Sequence, residues 1–184
     1  MKIFFATSNP NKVVEARSVL RRYSIDVEQK KVKKLEIQAD DVEAIAEAAA
    51  SRLCQEGEDL IVVEDDGLYI KALNGFPGPY SEYVYRTLGL SGVLKLLEGV
   101  VDRGAVFKSA VAICIGGSVK VFTGLVEGYI SDRPRGLGGF GFDPIFIPKG
   151  YVKTFAELGV DEKSSISHRA KAFTALAEWL KTYK

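Results

Sequence analysis

The sequence is poor in the residues that hold metal clusters or disulfide frameworks. Its 184 residues include two cysteines, Cys54 and Cys114, and one histidine, His168. A single histidine excludes zinc sites of the His-x-x-x-His type. The cysteines lie too far apart in sequence for a Cys-x-x-Cys site, and two thiols do not make a disulfide scaffold. We therefore expect reduced thiols in a protein of the cytoplasm.

An excess of either charge is also missing. Lys and Arg total 25 and Asp and Glu total 24, which leaves a net charge of +1. Binding to nucleic acid requires clustered cations, so we expect no nucleic-acid partner. The apolar runs are no longer than a strand, whereas a membrane span takes about 20 residues, so we expect neither an export signal nor a membrane segment. With 47% hydrophobic residues, the composition is that of one globular domain spanning 1–184.

The charges are unevenly distributed along the chain. Residues 1–34 carry nine Lys or Arg and three acids, whereas residues 35–66 carry eleven acids and one arginine. Two solvated faces would explain this pattern. The functional alternative is a basic element that faces an acidic one across a cleft holding an anion and its metal.

Hydrophobic spacing and turn residues predict a mixed α/β fold, in which one sheet contains a strand–helix unit and a long antiparallel hairpin. We expect a strand over 2–7, a helix from Asn9-Pro10, a strand over 25–27, a second helix with a capping-box-like start at Asp40 and Glu43, a short buried strand over 60–63, short helices within 81–98, hairpin strands over 105–115 and 118–130, a loop over 134–150 and a last helix over 165–180.

The turn between the first strand and the first helix is a candidate anion site. Its residues are Thr7, Ser8, Asn9, Pro10, Asn11 and Lys12. Free N–H groups at a helix N-terminus favour a bound anion, and a cation such as Lys12 opposes the helix dipole there unless something negative lies nearby. A triphosphate would supply that charge. An ordinary Asn-Pro cap with a solvated lysine is the alternative.

Three consecutive acids, Glu64, Asp65 and Asp66, follow the apolar run at 60–63. Such carboxylates repel one another by roughly 1–4 kcal/mol per pair at 4 Å unless they are protonated or bridged by a cation. Mg²⁺ prefers one or two carboxylates with phosphate oxygens and waters, and Glu36 is a candidate further ligand. A charged turn that ends at Gly67 is the structural alternative.

The Gly-x-Gly-x-x-Gly run at 136–141 is not a dinucleotide fingerprint, because Pro144 follows where a helix should begin. What remains is a Gly-rich loop with Phe140, Phe142 and Asp143. The aromatic rings are suited to stack on a base, and the carboxylate is suited to accept from a ring N–H. A buried aromatic turn explains the same residues.

Arg169 falls inside the apolar stripe of the predicted last helix, near Lys163 and His168. A buried guanidinium needs an anionic partner. Either a ligand or an acid at the edge of the core meets that need.

Four segments, taken in chain order, resemble motifs of the inosine triphosphate pyrophosphatase family, and the resemblance covers essentially the whole chain. Thr7 to Lys12 is similar to its Thr-x-Asn-x-x-Lys motif, and the remaining blocks are Glu64-Asp65-Asp66-Gly67-Leu68 with 75–81, Gly139 to Phe146, and Lys163 with Ser167-His168-Arg169. The resemblance implies an elongated, twisted mixed sheet flanked by helices, with two lobes and a central cleft. It also implies a homodimer that cleaves ITP, dITP and XTP into a nucleoside monophosphate and pyrophosphate with Mg²⁺.

Residue roles follow from the same resemblance. The Thr7–Lys12 turn and Lys163 would hold phosphates, Glu36 and Asp65 would bind the metal, and Asp65 would also accept the proton of the attacking water. Phe140, Gly141, Phe142 and Asp143 would enclose the base with His168 and Arg169. A metal-bound carboxylate is a poor base, so orientation of a metal-bound water is the alternative role for Asp65.

Two positions depart from the family pattern. Asp66 replaces a serine, and Phe142 replaces a tyrosine. Asp66 is expected either to share the metal or to repel the phosphates, and of these two roles metal sharing is the prediction. Pyrophosphatase action on other modified nucleotides and a non-catalytic nucleotide-binding protein are the functional alternatives.

Overall fold

A computed structural model describes residues 1–183 and contains one mixed seven-stranded sheet with helices packed against it. The strands are β1 (Lys2–Ala6), β2 (Asp26–Lys30), β3 (Ile61–Ile70), β4 (Pro77–Gly78), β5 (Gly104–Ile115), β6 (Ser118–Ile130) and β7 (Phe146–Pro148). The helices are α1 (Pro10–Leu20), α2 (Val42–Gln55), α3 (Ser81–Thr87), α4 (Gly89–Leu96), α5 (Val160–Ile166) and α6 (His168–Thr182). The predicted mixed α/β class is confirmed.

The sheet order is β2-β1-β3-β5-β6-β7, and β4 pairs with β3 off this path. Strand β1 is parallel to both β2 and β3, whereas all other pairings are antiparallel. The parallel part follows from the β1–α1–β2 unit, because parallel neighbours need a crossover connection. The predicted hairpin forms β5 and β6, and its turn residues Gly116 and Gly117 have φ values of 56° and 75°, as a type I′ turn requires.

Strand β3 is longer than the sequence predicts. The acids 64–66 lie in the middle of the strand rather than after it, because β5 pairs with all ten residues of β3. On the opposite edge of β3, β1 pairs only with Ile61 and Val62, and β4 pairs only with Leu68 and Tyr69. Within the described chain, the edge of β3 between these pairings has no strand neighbour, and this gap places the acids beside the β1–α1 turn.

The predicted last helix is two helices. Its backbone leaves the helical region at Ser167, whose ψ is 156° and whose Oγ accepts a hydrogen bond from Ala170 N at 3.0 Å. Ser167 thus caps α6, because an N-cap side chain satisfies an N–H that has no partner within the helix. The predicted start of α2 is also shifted: Asp41 is the N-cap, and it makes no side-chain cap hydrogen bond.

The expectation of two free thiols is wrong. Cys54, near the end of α2, and Cys114, in β5, form a disulfide with their Cα atoms 5.6 Å apart. Their separation of 60 positions in sequence ruled out a local motif but not a contact in space. Helix α2 packs on β3 and β5 through a buried cluster that includes Ala46, Leu53 and Ala112, and this packing brings the two sulfurs together.

Two further buried clusters complete the core. One packs α1 and α6 against one face of the sheet, and the other gathers aromatic side chains from β5, β7 and the segment around Phe155. In residues 1–183, no helix combines the length and the apolar character that a bilayer crossing requires.

Candidate active site

The gap along β3 opens into a cavity of about 630 Å³ between the β1–α1 turn, α3 and the Gly-rich loop. Twelve of the sixteen site residues predicted from sequence line it: Asn9, Lys12, Glu36, Asp65, Asp66, Phe140, Gly141, Phe142, Asp143, Lys163, His168 and Arg169. The other four, Thr7, Ser8, Pro10 and Asn11, belong to the turn that leads to Lys12. The fold therefore brings the four sequence blocks to one place.

The β1–α1 turn is held by its own side chains. Asn9 is the N-cap of α1, Pro10 is the first helical residue, and Asn9 Oδ1 accepts a hydrogen bond from Asn11 N at 3.0 Å. Thr7 Oγ1 accepts from Asn9 N at 3.1 Å. These contacts confirm the predicted Asn-Pro helix start, and they fix the first turn of α1 toward the cavity.

Lys12 projects from that turn onto two carboxylates. Its Nζ lies 2.8 Å from Glu64 Oε2 and 2.5 Å from Asp66 Oδ1. Burial alone would lower the pKa of Lys12, but the charges of Asp66 and Glu64 raise it above its usual value. The negative charge that a cation needs at a helix N-terminus is therefore supplied by the protein itself.

Arg169 is fully buried and lies between Glu64 and Asp66 on one side and Glu15 on the other. Its Nε donates to Glu64 Oε1 at 3.0 Å, its Nη1 donates to Glu15 Oε2 at 2.9 Å, and its Nη2 lies 3.1 Å from Asp66 Oδ2. Ser109 Oγ also donates to Glu64 Oε1, at 2.7 Å. The predicted need of Arg169 for an anionic partner is thus met by three acids.

Lys163 continues the network to the Gly-rich loop. Its Nζ donates to Glu15 Oε1 and to Asp143 Oδ2, each at 2.7 Å. Asp143 Oδ2 also accepts from Phe140 N at 2.7 Å, which shapes the loop. Burial would raise the pKa of Glu15, yet Arg169 and Lys163 lower it to about 2. One continuous set of ion pairs therefore runs from Lys12 to Asp143.

Aromatic rings cover this network. The Phe140 ring centroid lies 4.6 Å from Lys163 Nζ and 5.3 Å from Arg169 Cζ, both within cation–π range. Phe142 is buried and packs edge-on against Tyr85, with ring centroids 5.5 Å apart. Of the two predicted base-stacking rings, Phe140 is the more exposed to the cavity.

His168 stacks on Phe107 with the ring planes 7° apart and the centroids at 4.6 Å. Burial lowers its pKa. Its Nε2 is 3.6 Å from Asp66 Oδ2, beyond hydrogen-bond distance, and within residues 1–183 neither ring nitrogen has a hydrogen-bond partner. A buried neutral imidazole with a free donor and a free acceptor is suited to bind a polar ligand edge.

Asp65 points to the opposite face of β3 from Glu64 and Asp66, since side chains alternate along a strand. Its Oδ2 is buried and has no hydrogen-bond partner among the described residues. Burial raises the pKa of Asp65 to about 7, against the opposing charge of Lys12. Such a carboxylate changes protonation near neutral pH, which suits a general base.

Asp65 and Glu36 both line the cavity, and their carboxylates are the donor type that Mg²⁺ takes. Within residues 1–183 no cluster of three or more His, Cys, Asp or Glu is arranged to hold a metal. Mg²⁺ nevertheless needs only one or two carboxylates when phosphate oxygens complete its shell. The buried free oxygen of Asp65 therefore fits a magnesium ion that arrives with a polyphosphate.

A glycine in β6 allows the start of α6 to reach the site. A Cβ at Gly124 would lie 2.2 Å from the carbonyl oxygen of His168 and 2.5 Å from Ala172 N. Only glycine permits this approach. It sets His168 and Arg169 directly against the sheet.

Sequence reasoning missed Glu15, Phe107 and Ser109, and it did not assign Glu64 a role of its own. Glu15 carried a usable signal, because it lies on the same helix face as Val19, which is buried. An acid on a buried helix face requires a cationic partner, just as the buried Arg169 on α6 requires an anionic one.

These features define an α/β protein whose cleft joins a helix-N-terminal turn, buried acids and an aromatic–cationic cluster. The chain belongs to the Ham1 family, whose sequence profile matches residues 3–179. It is 60% identical over 180 residues to the dITP/XTP pyrophosphatase of Pyrobaculum aerophilum, covering 98% of this chain and 96% of the relative. It is 50% identical over 181 residues to the dITP/XTP pyrophosphatase of Thermococcus kodakarensis, covering 98% of each.

Solved structures agree with this assignment. The Ham1 protein of Staphylococcus aureus superposes with a TM-score of 0.86 at 28% identity, covering 100% of both chains. The nucleoside-triphosphatase, dITP/XTP pyrophosphatase of Mycobacterium abscessus superposes with a TM-score of 0.74 at 32% identity, covering 98% of this chain and 100% of the other. The expected family and fold are confirmed.

Proposed function

We propose that this protein hydrolyses the non-standard purine nucleoside triphosphates ITP, dITP and XTP to the monophosphate and pyrophosphate. The observation that carries the proposal is the ion-pair network from Lys12 to Asp143, because it joins all four sequence blocks around one cavity. The names of the relatives support two of these substrates, dITP and XTP.

The phosphates are assigned to the β1–α1 turn and Lys12. Free N–H groups at the start of α1 and the Lys12 ammonium favour an anion. Lys163, which the sequence assigned to the phosphates, lies beside Asp143 and Phe140. Its position favours a role next to the base, and the earlier assignment stays a prediction.

Asp65 is assigned as the proton acceptor for the attacking water. A pKa of about 7 makes its carboxylate a stronger base than an ordinary aspartate and leaves it ionised in part of the molecules at neutral pH. Mg²⁺, when bound by Asp65 and Glu36, would supply charge stabilisation for the triphosphate. Asp65 takes the proton in this assignment; where it also binds the metal, its pKa falls and its role is instead to orient the attacking water.

Selectivity is assigned to the groups around Phe140. A 6-keto oxygen accepts hydrogen bonds from N–H donors such as those of His168, Arg169 and Lys163, whereas the 6-amino group of adenine brings a second donor against them. Unpaired buried donors are costly, and mismatches of this kind can reach about 10⁴-fold in kcat/KM.

The experiment is a pyrophosphate-release assay with ITP, dITP, XTP, GTP, ATP and a methylated pyrimidine triphosphate, each with and without Mg²⁺. We expect ITP, dITP and XTP to be preferred over ATP by at least about 10²-fold in kcat/KM, and activity to require the metal. Comparable kcat/KM for ATP and ITP would overturn the assignment of the base site. A preference for the pyrimidine would redirect it to other modified nucleotides.

The oligomeric state, implied by the family resemblance, and the location are two further assignments. We propose a homodimer, which the exposed side chains Tyr83 on α3, Leu88 between the helices and Leu96 on α4 support. We also propose a cytoplasmic location, where a nucleotide pool is found. The disulfide is compatible with it only where the cytosol maintains disulfides, as it does in hyperthermophiles.

A further inference from the structure

Asp66 contacts two cations of the protein itself, which is not the arrangement expected of a side chain that binds the ligand. Its Oδ1 lies 2.5 Å from Lys12 Nζ, and its Oδ2 lies 3.1 Å from Arg169 Nη2. Glu64 bridges the same two cations, with Oε2 at 2.8 Å from Lys12 and Oε1 at 3.0 Å from Arg169. The four side chains therefore form a closed ring of alternating charge, named here the Lys12–Arg169 ring.

The geometry of β3 produces this ring. Glu64 and Asp66 are two residues apart in a regular strand, so their side chains project from the same face. Asp65 projects from the other face and takes no part in it. The family resemblance gives a serine at the position of Asp66. With that serine, the ring would contain only the carboxylate of Glu64.

Both oxygens of Asp66 are engaged by cations, and its side chain is 17% exposed. Sharing a metal would require Asp66 to give up one of these pairs. Repulsion of the phosphates is also reduced, because two positive charges face the carboxylate at close range and the ring has no net charge.

We propose that Asp66 is a positioning residue that fixes Lys12, the phosphate-side cation, against Arg169, the base-side cation. This proposal rests on the function proposed above. Glu64 and Asp66 hold Lys12 at a fixed position relative to the base site. A nucleotide therefore binds well only if its phosphates and its base fit both positions at once. Pre-ordered cations lower the cost of ordering side chains when the ligand binds.

The test is a double-mutant cycle with Asp66→Asn and Lys12→Met, measured as the Kd of α,β-methylene-ITP by calorimetry in EDTA. Asparagine keeps the shape of Asp66 and removes its charge. We expect Asp66→Asn alone to weaken binding about tenfold, and by less than twofold when Lys12 is already methionine, since coupled pairs are not additive. The kcat/KM ratio of ITP to ATP should fall in Asp66→Asn, because Arg169 loses one of its three acidic partners.

Three results would overturn the proposal. Equal loss of affinity in both Lys12 backgrounds would show that Asp66 does not act through Lys12. Tighter binding by Asp66→Asn would show that it repels phosphate. No effect in EDTA, with a shifted Mg²⁺ midpoint for activity, would show that it shares the metal.

The control is Glu127→Gln, which removes an acid from the exposed Glu127–Lys149 pair outside the cavity. It should change neither the Kd nor the selectivity. If Asp66→Asn does not fold, Asp66→Ser replaces it, with Glu64 still bridging the two cations. A parent protein that binds the analogue but releases no pyrophosphate from ITP refutes the proposed function and leaves the cycle to decide on Asp66. A parent that binds the analogue neither in EDTA nor with Mg²⁺ refutes both.

Discussion

Asp65→Asn should lower activity and raise stability together. Asparagine has the size of aspartate but accepts no proton, so we expect kcat for ITP to fall by roughly 10²-fold or more, the scale of lost acid–base catalysis. The same change removes a buried carboxylate that has no hydrogen-bond partner on Oδ2 within the described residues.

The magnitude of the stability change follows from the pKa. Burial raises the pKa of Asp65 from 3.8 to about 7. A difference of about three pKa units corresponds to about 4 kcal/mol, which partial exposure of the side chain reduces to roughly 2–4 kcal/mol. Because the folded state binds the proton more tightly, this group costs nothing below pH 3.8. Its cost grows as the pH rises from about 4 to about 7 and is constant above that.

The assay is chemical unfolding of the parent and of Asp65→Asn in EDTA at pH 4 and pH 8. We expect similar unfolding free energies at pH 4 and a more stable variant at pH 8. Addition of Mg²⁺ with a nucleotide analogue should stabilise the parent more than the variant. A variant that is no more stable than the parent at pH 8, or one that retains near-normal kcat, would refute the reasoning and move the chemistry to another acid.

Two further predictions concern buried groups outside the ring. Cys54→Ser should lower the unfolding free energy by about 4 kcal/mol, since the disulfide closes a loop of 60 residues. A reducing agent should lower the Tm of the parent but not of the variant. An equal Tm for parent and variant without reducing agent would contradict this prediction. Glu15→Gln should be less stable than the parent at pH 7, because Lys163 and Arg169 lose a counter-charge. Since the pKa of Glu15 is lowered from 4.5 to about 2 in the folded state, that difference should shrink as the pH falls through this window; an unfolding titration showing a constant gap would exclude the ion pairs as its cause.

Much of the fold could be predicted because the decisive signals are local. Asn9 and Pro10 define the start of α1, and Gly116-Gly117 defines the hairpin turn, from residues next to each other in sequence. The break at Ser167 was missed because apolar spacing continues across it, while the capping hydroxyl was read as part of a motif. The extent of β3 was missed because acids disfavour a strand unless distant cations neutralise them.

Contacts between segments that are distant in sequence could not be predicted from the sequence. Glu15 meets Lys163 and Arg169 across 148 and 154 residues, and Cys54 meets Cys114 across 60. Residue type indicates that such groups need partners, but not which partners the topology provides. The predicted site cations Lys12, Lys163 and Arg169 line one cavity, whereas their neutralisation by acids of the same chain became visible only in three dimensions.

That neutralisation explains why a cleft for a triphosphate contains so many acids. Lys163 and Arg169 are buried and Lys12 is largely so. Isolated buried charges are costly, and each of the three cations is paired before any ligand is present. Asp65 is different, because among the described residues it forms no ion pair and its pKa lies near 7. Among the acids that β3 places in the cleft, Asp65 is therefore the one whose charge no cation pairs. Its pKa near 7 lets it take up a proton or a divalent cation, and this is the side chain on which the proposed hydrolysis depends.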